Sequence, residues 1–234
     1  LIARYSPAIL WNDIGWPAST DLPRLFADFY AAVPDGVVND RWAQSDLPRG
    51  GATDALVRGV AGLVQLAWKL IPEEHRELVF PATPHHDFTT PEYARYDEIV
   101  SKKWETTRGI GNSFAANRNE DPADIVSAHE LVHMLVDVVS KNGNLLIGVG
   151  PLPDGSVPLE QLAPLRALGL WLGVNGSAIR GSRPWDRPAA TAGDGTELRF
   201  TRTGADVNVI TLGTPTAREL VIPGLSAARD TSAL

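Results

Sequence analysis

Cysteine is absent from this 234-residue chain, which excludes a disulfide framework and a thiolate metal site and leaves redox compartment unread. No apolar run reaches membrane-spanning length, which argues against a membrane partner. Basic runs are missing too: 21 Lys and Arg against 28 Asp and Glu give a net charge of -7, which speaks against nucleic acid or an anionic bilayer. The chain opens on Leu1 with neither a start methionine nor a signal peptide, so the first residue reads as a cut. The source compartment stays open, with the cytoplasm favoured. There is no internal repeat and no long low-complexity tract. What is present is 44% hydrophobic content, enough to bury a core, and the charge balance fits a small neutral ligand.

Short apolar runs alternate with helical patterns. Ile9-Leu10-Trp11 reads as a strand, and Leu22, Leu25, Phe26, Phe29, Tyr30 and Val33 recur at helical spacing after the start signal Ser19-Thr20-Asp21. Residues 37–41 read as a second strand, and 52–70 as a helix stopped by Pro72. A third strand is predicted over 107–110, a helix over 123–139, a strand over 144–150 and a helix over 159–172. Strands separated by helices imply βαβ units with functional groups at the carboxyl ends of the strands, where Asp13 and Arg41 both fall. From residue 196 onward, 196–202, 206–212 and 219–222 read as consecutive strands joined by Gly and Pro turns, the start of a small antiparallel region.

One carboxylate stands out, set between two tryptophans in Ile9-Leu10-Trp11-Asn12-Asp13-Ile14-Gly15-Trp16-Pro17. Further along come Val38-Asn39-Asp40-Arg41-Trp42, Trp104-Glu105-Thr106-Thr107-Arg108-Gly109-Ile110-Gly111, and Val136-Asp137-Val138-Val139-Ser140-Lys141-Asn142-Gly143-Asn144-Leu145-Leu146. The series ends with Asn175-Gly176-Ser177-Ala178-Ile179 and Arg183-Pro184-Trp185. In content and order these segments resemble the α-L-fucosidases of glycoside hydrolase family 29.

The resemblance implies an α/β chain: the second half of a (β/α)8 TIM-like barrel over 1–187, interrupted by a helical insertion at about 51–78, then part of a small antiparallel β-domain over 188–234. It implies a retaining exo-α-L-fucosidase working by double displacement, with transfer of fucose to other acceptors as a further outcome. Such chemistry needs an ionised carboxylate to attack the anomeric carbon and a second carboxyl group, about 5 Å away, to protonate the departing oxygen. Asp13 corresponds to the nucleophile and Glu92 to the acid/base, with Glu98, Glu105 and Glu120 as neighbouring alternatives. Trp11, Tyr93 and Phe114 correspond to aromatics of the fucose pocket, and Arg41 to its arginine, a donor fork for hydroxyls or for the nucleophile. No cofactor and no metal are expected; the partner is a fucosylated glycan or fucoside.

Each residue also has a plainer reading. A strand-end carboxylate can cap a helix, Arg41 can pair with Asp40, the three aromatics can be core residues, and His85 and His86 read as polar loop residues. The missing first half of the barrel would leave open sheet edges, so the chain is expected to form a homo-oligomer or to pair with a complementing N-terminal half-barrel. A non-catalytic fucose-binding or assembly role is the alternative from another class. His129-Glu130-Leu131-Val132-His133 is a literal HExxH on a predicted helix, the spacing of a zinc metallohydrolase, but no histidine follows His133 to complete a ligand set.

Overall fold

In the computed structural model the described residues are 1–44, 59, 62–63, 83 and 85–225. Apart from Gly59, Gly62 and Leu63, the expected helical insertion at about 51–78 lies outside them. Two compact units are present, one of Leu1–Arg95, Ser101–Gly109 and Asn144–Gly148, the other of Tyr96–Val100, Ile110–Gly143 and Val149–Leu234.

In the first unit, a one-turn helix α1 (Ile2–Tyr5) leads into β1 (Ile9–Leu10), then α2 (Leu22–Ala32) and β2 (Val37–Val38). Helix α2 starts where the Asp21 side chain accepts from the Arg24 N–H at 3.0 Å, with Pro23 in its first turn, where a missing N–H does no harm. Leu22, Phe26 and Phe29 recur on one face and pack with Val38 and Trp42 into a core bordered by Leu10, Trp16 and Tyr30. Strands β1 and β2 are parallel, with Ile9 opposite Val37 and Leu10 opposite Val38. A second strand pair joins β3 (Trp104–Gly109) to β4 (Gly143–Gly148). Thr89 and Glu92 run alongside β3 in parallel bridges to Trp104 and Thr107. Elements β1, α2 and β2 make a parallel βαβ unit of the kind read from the sequence; among the described residues no barrel closes.

The second unit contains α3 (Ala128–Ser140), α4 (Leu159–Asn175), and the antiparallel sheet β5 (Arg183–Thr191), β6 (Glu197–Thr203) and β7 (Asp206–Thr211), in that order. Leu198 and Phe200 on β6 are fully buried, with Trp185, Val207, Val209, Leu220 and Ile222 against them. Asp137 on α3 accepts from Lys141 at 2.7 Å and from Arg199 of β6 at 2.6 Å, tying helix to sheet.

Several boundaries differ from those expected. The third strand begins at Trp104 rather than Thr107, because the parallel bridges from Thr89 and Glu92 recruit residues that alternation alone leaves out. The helix predicted from residue 123 starts at Ala128: residues 122–124 form a 3-10 turn, Ile125 is extended and Ser127 caps. Residues 219–222 are not a strand; Leu220 and Ile222 pack on the β-core, and Val221 accepts one backbone bond from Gly193 at 3.0 Å. Strand β5 was not expected, because Pro184 and Pro188 lie within it. It tolerates them as an edge strand with a register shift between Pro184 and Ala189.

Candidate active site

Asp13 and Arg41 each lie three residues beyond a strand of the β1–β2 pair. The backbone there is held by a reciprocal pair of asparagines: the Asn12 N–H donates to Asn39 Oδ1 at 2.9 Å, and Asn39 Nδ2 donates to the Asn12 carbonyl at 2.8 Å. Asn12 Nδ2 reaches the carbonyls of Gly15 and Arg41 at 2.9 and 3.0 Å, so both functional loops hang on one amide. Past Asp13 the chain turns sharply, with positive φ at Ile14 and Gly15.

Arg41 is the centre of the arrangement, its side chain only 3% exposed. Nη1 donates to Asp13 Oδ1 and to Glu92 Oε1, each at 2.9 Å. Nε donates to Thr90 Oγ1 at 2.8 Å and Nη2 to the Thr90 carbonyl at 2.7 Å. Thr90 is held in turn by buried Asp40, whose Oδ1 accepts from the Thr90 N–H at 3.0 Å and from its hydroxyl at 2.6 Å. Asp40 therefore acts on Arg41 through Thr90 and is not its ion-pair partner, unlike the plainer reading of the sequence. A buried guanidinium needs this many acceptors, since an unpaired buried charge is strongly unfavourable.

Asp13 is half-exposed, and its Oδ1 also accepts from the Ile14 N–H at 2.9 Å. Glu92 is nearly buried. Tyr93, next along, has a φ of 56°, unusual for a non-glycine residue, and its N–H donates to the Thr107 carbonyl at 3.1 Å. Its ring lies 5.2 Å from the Arg108 guanidinium carbon. Trp11 donates through Nε1 to Glu105 Oε1 at 2.9 Å, and the Arg41 guanidinium carbon lies 5.1 Å from its ring centroid. Burial pushes the Glu105 carboxyl up from its ordinary value, with the Trp11 N–H and the Arg41 charge pulling the other way.

Trp11, Asp13, Arg41 and Glu92 are thus brought together in the first unit, with Tyr93 adjoining. Phe114 belongs to the second unit and is 44% exposed. Of the alternative glutamates, Glu105 belongs to the first unit, whereas Glu98 and Glu120 belong to the second, where Glu120 accepts from the Ser113 N–H at 2.9 Å. The sequence reading missed the role of Thr90 and Asn39. The polar doublet Asn39-Asp40 next to an arginine at a strand end was the available signal. His85 lies 2.8 Å from the Tyr30 hydroxyl, which donates to Asp87 at 2.7 Å, and His86 lies 3.2 Å from the Thr83 carbonyl, so both sit in loop hydrogen bonding.

The HExxH residues lie on α3. Its glutamate closes a capping box, Glu130 Oε2 accepting from the Ser127 N–H at 3.0 Å while the Glu130 N–H donates to Ser127 Oγ at 3.2 Å. The two imidazole centroids are 3.8 Å apart, and among the described residues no third His, Cys, Asp or Glu joins them in a ligand group. Helix-capping chemistry accounts for Ser127-x-x-Glu130, which overlaps the zinc-like pattern.

Two carboxylates converging on one arginine at the carboxyl ends of strands define an α/β chain with a paired-carboxylate site. A family model described as alpha-L-fucosidase matches residues 1–177. The chain belongs to the α-L-fucosidase family. It is 31% identical over 193 residues to tissue alpha-L-fucosidase of Bos taurus, covering 79% of this chain and 34% of that protein. The crystal structure of Thermotoga maritima alpha-fucosidase in complex with fucose matches at 40% identity and a TM-score of 0.72, covering 97% of this chain and 44% of that one. The same enzyme in complex with a mechanism-based inhibitor matches at 41% identity and a TM-score of 0.73. The chain spans about a third of the length of the curated bovine relative it matches. Among the described residues no helix is long and apolar enough to cross a membrane.

Proposed function

We propose that this chain carries the nucleophile-bearing part of a retaining exo-α-L-fucosidase, with Asp13 as nucleophile and Glu92 as acid/base. The carrying observation is the shared Arg41 Nη1. Two oxygens that each stand 2.9 Å from one nitrogen lie at most about 5.8 Å apart, the scale of the ~5–5.5 Å separation of retaining carboxylate pairs. In the first step an oxygen of Asp13 attacks the anomeric carbon, the bond to the leaving alcohol breaks, and Glu92 gives its proton to the departing oxygen. In the second, Glu92 takes a proton from water, the water oxygen bonds to the anomeric carbon, and the Asp13 ester breaks to release fucose with retained configuration. An acceptor alcohol in place of water gives transfer of fucose. Among the described residues Asp13 Oδ2 takes no hydrogen bond, while Oδ1 is held by Arg41 and Ile14; Oδ2 is therefore the attacking oxygen.

Trp11 and Tyr93 offer apolar faces for the C5 methyl and C–H face of the sugar, and Arg41 Nη1 holds Oδ1 of the nucleophile. The substrate is a terminal α-L-fucoside or fucosylated glycan. The reading includes a second-half (β/α)8 barrel over 1–187 with a β-segment over 188–234. It also includes a homo-oligomer or a complementing N-terminal half-barrel that covers the strand edges. The two-stranded pairs β1–β2 and β3–β4 support that part of the proposal, since such pairs are not stable without further strands or helices over them.

Release of nitrophenol from an aryl α-L-fucoside tests the reading, because aryl leaving groups need little acid assistance. Turnover that falls in Asp13→Gly and returns with azide, giving a fucosyl azide, supports it. Fucose binding without turnover contradicts it in favour of a binding role. A monodisperse monomer in light scattering across micromolar concentrations contradicts the association.

A further inference from the structure

Trp11 is gripped at two points. Its indole N–H ends on a carboxylate oxygen of Glu105, from strand β3, at 2.9 Å, and the Arg41 guanidinium carbon lies 5.1 Å from its ring centroid. The residues that touch it come from distant parts of the chain: Glu105 lies 94 positions away, and it is the third carboxylate gathered around Arg41 without being bonded to it. An indole can satisfy its single donor with water or with any nearby carbonyl. Placing a partly buried carboxylate there instead is unfavourable unless the bond does something, because burying a charge requires compensation. A charged acceptor fixes the ring more firmly than a neutral one, since charge-assisted hydrogen bonds are about twice as strong.

We infer that Glu105 is a positioning residue, whose carboxylate locks the Trp11 indole in place beside Asp13 and Arg41 so that the ring presents a fixed apolar surface to the sugar. The inference rests on the fucoside reading only for what Trp11 does; the lock itself stands on the geometry. Burial raises the Glu105 carboxyl, and the charged neighbour acting on it is Arg41, where Asp13 and Glu92 also converge. The lock therefore tightens when Glu105 ionises, at a pH above that of an ordinary glutamate.

The test is the indole N–H resonance of Trp11 in the nitrogen-15-labelled full chain, assigned by its loss in Trp11→Phe. The expected result is a resonance that titrates with a midpoint above the ordinary glutamate range. In Glu105→Gln, which keeps an acceptor oxygen, it stays near its place but no longer titrates; in Glu105→Leu it shifts and its hydrogen exchange accelerates. With an aryl fucoside, Glu105→Leu raises KM by about tenfold, corresponding to 1.4 kcal/mol, with kcat little changed, and Glu105→Gln recovers most of it. A Trp11 resonance unmoved by Glu105→Leu, or one that still titrates in Glu105→Gln, overturns the lock. Should Glu105→Leu fail to fold, the titration comparison of Glu105→Gln with the parent protein decides alone. Resonances that behave as expected in a parent protein that does not bind fucose uphold the lock and overturn the fucoside reading instead.

Discussion

Asp13 and Arg41 occupy equivalent places on neighbouring strands: they are 28 residues apart, the same offset that sets Ile9 opposite Val37 and Leu10 opposite Val38 in the parallel pair. Their 2.9 Å ion pair is therefore an extension of strand register into the loops. In-register parallel strands point equivalent residues the same way, so the carboxylate and the guanidinium meet without a long search in side-chain space. The same guanidinium reaches Glu92, which lies beside β3, and so links the two strand pairs of the first unit.

Arg41→Met removes the cation on which two carboxylates and Thr90 converge, inside a nearly buried cluster. It is expected to destabilise the chain by about 3–5 kcal/mol in urea unfolding, because Glu92 is left buried and unpaired. Asp13→Asn, at a half-exposed position, is expected to change stability by less than about 1 kcal/mol while abolishing turnover.

Thr90→Val keeps the shape of the side chain but deletes the hydroxyl that donates to Asp40 and accepts from Arg41 Nε. Leaving both groups short of a partner is expected to cost about 1–3 kcal/mol. Fucoside turnover falls with it, because Arg41 loses part of its brace, and Thr90→Ser restores both quantities.

Gly15 has a φ of 88°, and a Cβ added there would stand 2.8 Å from the Ala43 carbonyl oxygen. Gly15→Ala is expected to cost about 1–2 kcal/mol from the left-handed backbone alone, plus the displaced contact. Because Gly15 also accepts from Asn12, the substitution moves the Asp13 loop, and the expected readout is a larger fall in kcat/KM than in the unfolding midpoint.

Much of this site was legible in the sequence for a physical reason. The runs ending in Trp11-Asn12-Asp13 and Asn39-Asp40-Arg41 place chemistry just past short apolar strands, and helix α2 declares itself through Asp21, Pro23 and the spacing of Leu22, Phe26 and Phe29. What escaped was tertiary in origin. Nothing local ties Thr90 to Asp40 or Glu105 to Trp11, contacts made across 50 and 94 residues. Strand β5 was hidden by its prolines, which an edge position makes harmless. Residues 219–222 show the converse: an apolar run can pack on a sheet core without joining the ladder. The zinc-like pattern in α3 arose because a capping box puts a glutamate three residues after Ser127, between two histidines.

Two groups are expected to shape stability against pH in opposite directions. Burial raises the Glu105 carboxyl above its ordinary 4.5, so the folded chain holds that proton more tightly than the unfolded one. Its contribution is full below that value and is lost as pH rises through the raised one; Glu105→Gln removes this loss. His133 is lowered from 6.5, first by burial and then by the charges of His129 and Arg199, with Glu197 opposing. Its contribution is present above 6.5 and is lost as pH falls toward the lowered value, so His133→Asn flattens that acid-side decline. Unfolding midpoints measured across pH 4 to 8, a window of about four units around these ordinary values, separate the two.

The most direct measurement is covalent trapping with a 2-fluorinated fucosyl reagent bearing a good leaving group, followed by peptide mass spectrometry. The ester of the fluorosugar is expected on the peptide holding Asp13, formed in the parent protein and absent from Asp13→Gly. A label on any other residue, or none in a preparation that turns over an aryl fucoside, contradicts a nucleophilic Asp13.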